Sequence, residues 1–396
     1  MPHQVIRFRA GCFALALSLN ALPAQAIESA ARPAADSALA QAVSPYAIAE
    51  YRRLLAEYKE ARTAFEEEAG AYWNAIAEKR RGRNAKRREH QPISLDDYVL
   101  TQPPVYTGPK RPVNPEPEAP EARPPRQYKA IPLVGDLLQA ASENFQWTPQ
   151  KPASELEFKR SYARVALAVG LTREQAVRVY SFETGGNGNY DMQSGLHGGH
   201  AISTAIGYNQ LFTTNSVELL AEQGPEFIRE LTQRAAELSG PPRQAMDRKI
   251  AVLKKMVAYA RSVPDDWSQH EKLADTPQGW ALHAMVLDID VGPLLQTHKL
   301  LTSVIFARAK GFNRPLSAAE LEMMNLTGDG TGLDMVTMPQ AMREQVPTSN
   351  FFQRGGYERN PVAIRHNTVA KLLAITDSRM DSNSNLPGAK ELASAF

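Results

Sequence analysis

Apolar residues recur three and four positions apart along most of the chain, the period of helices with one buried face. Between Ser44 and Glu89 this stripe comprises Tyr46, Ile48, Tyr51, Leu54, Leu55, Tyr58, Phe65, Tyr72, Trp73 and Ile76, set among Ala, Glu, Arg and Lys. From about Ile131 the pattern resumes as one helix after another. Glu155 to Val169 is apolar on one face. Thr172 opens a capping box with Gln175, leading into Ala176, Val177, Val179, Tyr180 and Phe182, and Gly185-Gly186 must end that helix. Further helices are predicted at Val217–Gln223, Glu226–Leu238, Gln244–Ser262, Gly279–Asp288, Leu294–Lys310 and Val362–Ile375. Alternating strand patterns are scarce, so the fold class is mostly α, with a small β hairpin or irregular flap in the glycine-rich stretch from Asn187 to Gly207.

Composition changes this picture in two places. Nine of the 25 residues from Gln102 to Arg126 are Pro, which fixes φ and removes donors, so 102–130 is expected to be an extended linker. Residues 1–26 carry Arg7 and Arg9, an apolar run from Gly11 to Leu22 and the small-x-small site Ala24-Gln25-Ala26, the three parts of a secretory signal peptide. The run is too short to span a bilayer, which takes about 20 residues. The expected organisation is a signal peptide over 1–26, an N-terminal helical segment over 27–101, the Pro-rich linker over 102–130 and a main domain over 131–396. No later stretch is a transmembrane segment, and the expected location is periplasmic or secreted, by bacterial export.

The formal charge is +2, and removing Arg7 and Arg9 from it leaves zero, which argues against a nucleic-acid partner. The single Cys12 falls inside the signal, so no disulfide framework or Cys-rich metal site is available. The one concentrated charge is Lys79, Arg80, Arg81, Arg83, Lys86, Arg87 and Arg88, at the end of the N-terminal helix. It suits an anionic envelope partner, or equally a solvated helix end where cations complement the dipole.

Candidate chemistry centres on Val179-Tyr-Ser-Phe-Glu183-Thr184-Gly-Gly186 and, after the flap, Ala205-Ile-Gly207-Tyr208-Asn-Gln210-Leu211. A carboxyl in the last turn of an apolar helix is rigid and partly desolvated, and the helix C-terminus adds a negative field. Both raise its pKa toward what a general acid needs near neutrality. The paired glycines would leave room for a bulky substrate.

These two stretches together resemble the catalytic core of the lytic transglycosylases and the wider lysozyme-like superfamily. In that family a catalytic Glu closes a helix and a Gly-x-x-Gln segment lies across the cleft. The resemblance covers about 30 residues. It implies a lysozyme-like helical domain, Glu183 as sole acid/base, and Thr184 (where Ser is usual), Gly207, Tyr208 and Gln210 as substrate contacts. It also implies peptidoglycan glycan strands as partner, cut between N-acetylmuramic acid and N-acetylglucosamine, with no cofactor. Two features depart from the pattern. The interval from Glu183 to Gln210 is 27 residues, longer than usual, and no counterpart of the family's downstream Ala-Tyr-Asn-Ala-Gly segment is evident.

Lysozyme-type hydrolysis would need a second carboxylate to activate water, for which Asp191 is the candidate. A non-catalytic envelope scaffold is the alternative from a different class. Asn350-Phe-Phe-Gln-Arg-Gly-Gly-Tyr357 suits sugar binding through Asn350 and Tyr357, or a packed loop. Gly328-Asp-Gly-Thr-Gly-Leu-Asp334 is read as a turn rather than a calcium loop, because Gln340 stands where an EF-hand needs its Glu. His197 and His200 lack an evident third ligand, so no metal site is expected.

Overall fold

The computed structural model describes residues 44–116, 130–196 and 198–396. Residues 1–43, which include the expected signal peptide, His197 and residues 117–129 lie outside the described residues. The chain divides into two compact units at residue 129/130.

The first unit is built on one helix, α1 (Pro45–Arg88), capped by Ser44, whose hydroxyl accepts from the Ala47 amide at 3.2 Å. The Pro-rich stretch does not leave this helix as a free spacer. Residues 95–106 run back along it. Tyr106 packs edge-on against Phe65 and Tyr58, with ring centroids 5.4 and 6.3 Å away. Proline suits this course because a chain lying on a helix surface has no ladder to complete. The returning segment also occupies part of the basic cluster. Arg83 is buried over the Tyr98 ring and donates to the Asp97 carbonyl at 2.8 Å, Lys86 pairs with Asp97 at 2.7 Å, and Lys79 donates to the Asp96 carbonyl. Arg81 and Arg88 remain exposed.

The second unit is helical throughout. Its elements are α2 (Val134–Phe145), α3 (Glu155–Ala168), α4 (Arg173–Thr184), α5 (Thr213–Ala236), α6 (Gly240–Ala260), α7 (Trp267–Ala274), α8 (Pro277–His283), α9 (Val291–Ala309), α10 (Ala318–Thr327), α11 (Asp329–Thr337), α12 (Gln340–Arg343), α13 (Arg354–Glu358), α14 (Pro361–Arg365), α15 (Val369–Ser384) and α16 (Pro387–Ser394). Strand pairing among the described residues is limited to isolated bridges, one inside the glycine-rich stretch (Gln193–Ile206) and one from it to the residue after the second motif's Gln210 (Ile206–Leu211). The flap is therefore irregular rather than a hairpin.

Two apolar clusters hold this unit together. One joins α2, α5, α6, α7 and α8 around Leu220, Phe227, Leu253 and Leu282; the other joins α3, α4, α10, α15 and α16 around Tyr162, Tyr180 and Tyr208. Helix α9 belongs to both, giving Leu294 and Leu295 to the first and Leu300 and Phe306 to the second. The two helices predicted on either side of Gly224-Pro225 are one helix, α5. Proline removes the hydrogen bond that would reach the Ala221 carbonyl, and Arg261 Nε donates to that same oxygen at 2.6 Å. Gly224 also admits α6, since a Cβ there would meet Val257 at 2.4 Å. The 328–334 stretch is neither turn nor calcium loop but the corner at which α10 ends and α11 begins.

Candidate active site

Helix α4 starts and stops where the sequence requires. Thr172 and Gln175 form the capping box, and Gly185 takes the left-handed conformation (φ 65°) that ends it after Thr184. Gly186 serves packing rather than substrate access. A Cβ there would lie 2.3 Å from the Asn383 carbonyl oxygen, and the Gly186 carbonyl accepts from the Ala389 amide at 2.8 Å, so α15 and α16 close over this end of α4.

Glu183 stays partly exposed, while the rest of its surroundings are protein. Burial pushes its carboxyl up to about 7, against the opposing influence of its hydrogen-bond partners and of Lys299 on α9. Two of those partners come from α10. Asn325 Nδ2 donates to Glu183 Oε1 at 3.0 Å, and the Glu322 carboxyl lies beside the same group. Glu322 is fully buried, and burial together with the neighbouring Glu183 charge holds its carboxyl well above the usual range. Two neighbouring carboxyls, one of them fully buried, do not both ionise near neutrality.

Beyond this pair lies an acidic wall facing Lys299. It consists of Glu218 and Glu222, one turn apart on α5, and Asp329 at the start of α11, which accepts from Ser303 Oγ at 2.5 Å. Burial raises the Glu218 and Asp329 carboxyls, and Lys299 opposes both shifts. Among the described residues no group of His, Cys, Asp and Glu could hold a metal ion.

The second motif is fastened to α9 rather than to Glu183. Gln296 accepts from the Asn209 amide at 2.8 Å through Oε1, and its own backbone carbonyl accepts from Asn209 Nδ2 at 2.7 Å. Gly207 has φ 84°, and a Cβ there would lie 1.9 Å from Gln296 Nε2, so only glycine fits without disturbing this junction. Lys299 lies three residues further along α9, on the same face, which connects the motif to the Glu183 neighbourhood. Gln210 turns back into its own loop, donating to the Gly207 carbonyl at 2.7 Å and the Met192 carbonyl at 3.3 Å; its Oε1 is buried without a partner.

Several expected contacts are core residues instead. Tyr208 is fully buried between Phe158, Tyr162 and Tyr180, and its hydroxyl donates to Glu155. Thr184 is buried and donates to the Tyr180 carbonyl at 2.7 Å. Asn350 is fully buried and donates to the Pro347 carbonyl at 3.1 Å, while Tyr357 is buried against Phe352. The 350–357 stretch is thus a packed corner, and neither side chain is displayed to a sugar. Asp191 is exposed and lies in the field of Glu155 and Tyr190.

The partners that complete the Glu183 site, Glu322 and Asn325, are absent from the sequence-based candidates. A signal was present: Glu322 interrupts the apolar run Leu321, Met323, Met324 in a helix whose every turn is buried. The neighbouring Glu320 closes a capping box with Ser317, so capping accounts for that acid and not for Glu322.

The fold and the site define a mostly helical protein in which a buried Glu322 lies beside a partly exposed Glu183. Comparison with known proteins gives no match to the chain, whether by family model, curated relative or solved structure.

Proposed function

We propose that the protein is an exported glycan-cleaving enzyme of lytic transglycosylase type, acting on peptidoglycan with Glu183 as its one acid/base. The observation that carries this reading is Glu183 itself. It is a partly open carboxyl at the end of a buried helix, hydrogen-bonded to Asn325 and half protonated at about pH 7. Such a group donates and recovers a proton at neutral pH. Glu183 protonates the glycosidic oxygen as the bond to the anomeric carbon breaks. The substrate's own N-acetyl carbonyl stabilises that carbon. The Glu183 carboxylate then takes the proton from the 6-hydroxyl, whose oxygen closes a 1,6-anhydro ring, and no water is consumed.

A lysozyme-type hydrolase would hold its second carboxyl about 5–5.5 Å or 6.5–9.5 Å away, according to stereochemistry. Glu322 is fully buried beside Glu183, with no surface to meet an attacking water, and Asp191 acts on Glu155 and Tyr190 instead. The binding-scaffold reading draws on Gln210, whose amide is engaged within its own loop.

Incubating sacculi with the mature protein and with Glu183→Gln, followed by mass spectrometry of the soluble fraction, tests the proposal. Products ending in 1,6-anhydromuramic acid, lost in the variant, are expected. Reducing ends would make it a hydrolase, and sacculus binding without product from either protein would make it a scaffold.

A further inference from the structure

We propose that Glu322 is a positioning residue for Glu183: Glu322 stays neutral and, whenever Glu183 is ionised, donates to its carboxylate. This rests on the reading of Glu183 as acid/base, and it adds a residue that the family resemblance does not supply.

The geometry begins with burial. Glu322 has no exposed surface, and neither of its oxygens receives a well-formed hydrogen bond from an N–H or hydroxyl among the described residues. A carboxylate in that position would be buried without compensation, so the group keeps its proton. That proton needs an acceptor, and Glu183, held against it where α10 packs on α4, supplies one. Asn325, one turn beyond Glu322 on α10, donates to Glu183 Oε1, so the ionised Glu183 has two donors from a single helix.

The charges around the pair compensate it only in part. Helix α9 brings Lys299, which also faces Glu218 and Glu222 on α5 and Asp329 on α11. The cation of α3 near α4, Lys159, is paired with Glu391 on α16 at 2.7 Å. Arg178 of α4 itself is paired with Asp377 at 2.7 Å and with Asp381 on α15.

In the proposed reaction the Glu183 proton moves to the leaving oxygen, and the carboxylate left behind accepts the Glu322 O–H. When Glu183 recovers a proton from the 6-hydroxyl, the pair returns to its starting state. Glu322 keeps its proton throughout and adds no negative charge beside the reacting centre.

The test is a pH titration of carboxyl ¹³C shifts in the full mature chain labelled at glutamate. Wild type, Glu183→Gln, Glu322→Gln and Glu322→Met are compared, with turnover on sacculi followed in parallel. In wild type the two carboxyls should titrate as coupled steps. Glu183→Gln should lower the Glu322 midpoint by about one pH unit or more, because the neighbouring charge is gone. Glu322→Gln retains a donor at the same place and should keep the Glu183 midpoint within about half a unit. Glu322→Met should raise that midpoint and lower turnover about 10- to 100-fold, the worth of a hydrogen bond to a charged group. The Gln variant should retain at least about ten times the Met turnover on the same grounds.

A Glu322 midpoint indifferent to Glu183→Gln overturns the proposal, and so does equal behaviour of the Gln and Met variants. The Glu183→Gln arm leaves Glu322 intact and so decides the matter even if the Met variant fails to fold. Coupled titration in a protein that releases no glycan product would uphold the pair while ending the transglycosylase reading.

Discussion

The second unit buries two groups of acids and treats them in opposite ways. In the first, Asp288 and Asp290 follow the short turn after α8 and meet Lys249 from α6, which lies 2.8 Å from Asp288 and pairs also with Asp290; Arg234 of α5 reaches Asp290 at 2.7 Å. Asp288 further accepts from the backbone amides of Gln150 and Asp290 at 2.8 and 2.9 Å. Burial alone would raise the Asp290 carboxyl, but Lys249 and Arg234 outweigh it and hold the group below its ordinary value. In the second, Glu183 and Glu322 face each other with only Asn325 and the more distant Lys299 in support, and burial wins. The lesson concerns compensation rather than depth. A carboxyl matched by cations and amides is a fixed strut joining α5 and α6 to the start of α9, whereas an unmatched one is a proton carrier.

Substitutions can break this comparison from either side. The largest effect is expected on activity. Glu183→Gln should lower sacculus turnover by about 10²- to 10⁴-fold, the usual worth of a general acid/base, without lowering Tm. A loss of Tm comparable to that of a core mutant would make Glu183 structural instead. Lys249→Met should do the reverse. It leaves two buried carboxylates without their shared cation and should cost about 3–5 kcal/mol in urea denaturation. A cost below about 1 kcal/mol would mean that the surrounding amides suffice alone.

The two sites should also respond to pH in opposite senses. Unfolded, Glu183 ionises at its ordinary value of 4.5; folded, it keeps its proton up to about 7. The folded state therefore binds the extra proton between these values, and its stability falls as pH rises through that window. Wild type should lose about 1–3 kcal/mol between pH 5 and pH 8 relative to Glu183→Gln, since a tenfold difference in proton affinity is worth about 1.4 kcal/mol. Asp290 is held below its ordinary 3.8, so its contribution is intact above that value and is lost as pH falls through its folded value. Acid unfolding of Asp290→Asn, compared with wild type, checks this, and the variant should show the shallower decline. The smallest effect is expected from Asn325→Ala. Removing a neutral donor should move the alkaline limb of turnover upward by about half to one pH unit; an unmoved limb would take Asn325 out of the site.

The regularity of the fold was legible because helix signals are local. The box of Thr172 and Gln175 and the stop at Gly185 lie within a few residues of each other, and α4 follows them closely. Where a signal's meaning depended on distant partners, the reading diverged. Gly224-Pro225 is a local breaker, yet α5 continues because Arg261, forty residues away by α6, takes the freed carbonyl. The described part of the Pro-rich stretch forms no helix or strand, as proline favours, yet its Tyr106 packs against Phe65 and Tyr58 of α1. Tyr208 has a side chain suited to a sugar, but its neighbours in space are three aromatic rings and Glu155.

The sequence by itself determined the helical class, the ends of α4 and the position of Glu183 in its last turn, since periodicity, capping and glycine conformation act over one or two turns. Tertiary structure alone decided that Glu183 meets Glu322 and Asn325, about 140 residues later in the chain. It also decided that Asp191 lies near Glu155 and Tyr190, and that Asn350 and Tyr357 are buried. The reason is electrostatic as much as geometric: whether a carboxyl carries a proton depends on the water excluded and the charges admitted around it, and helices far apart in sequence supply both.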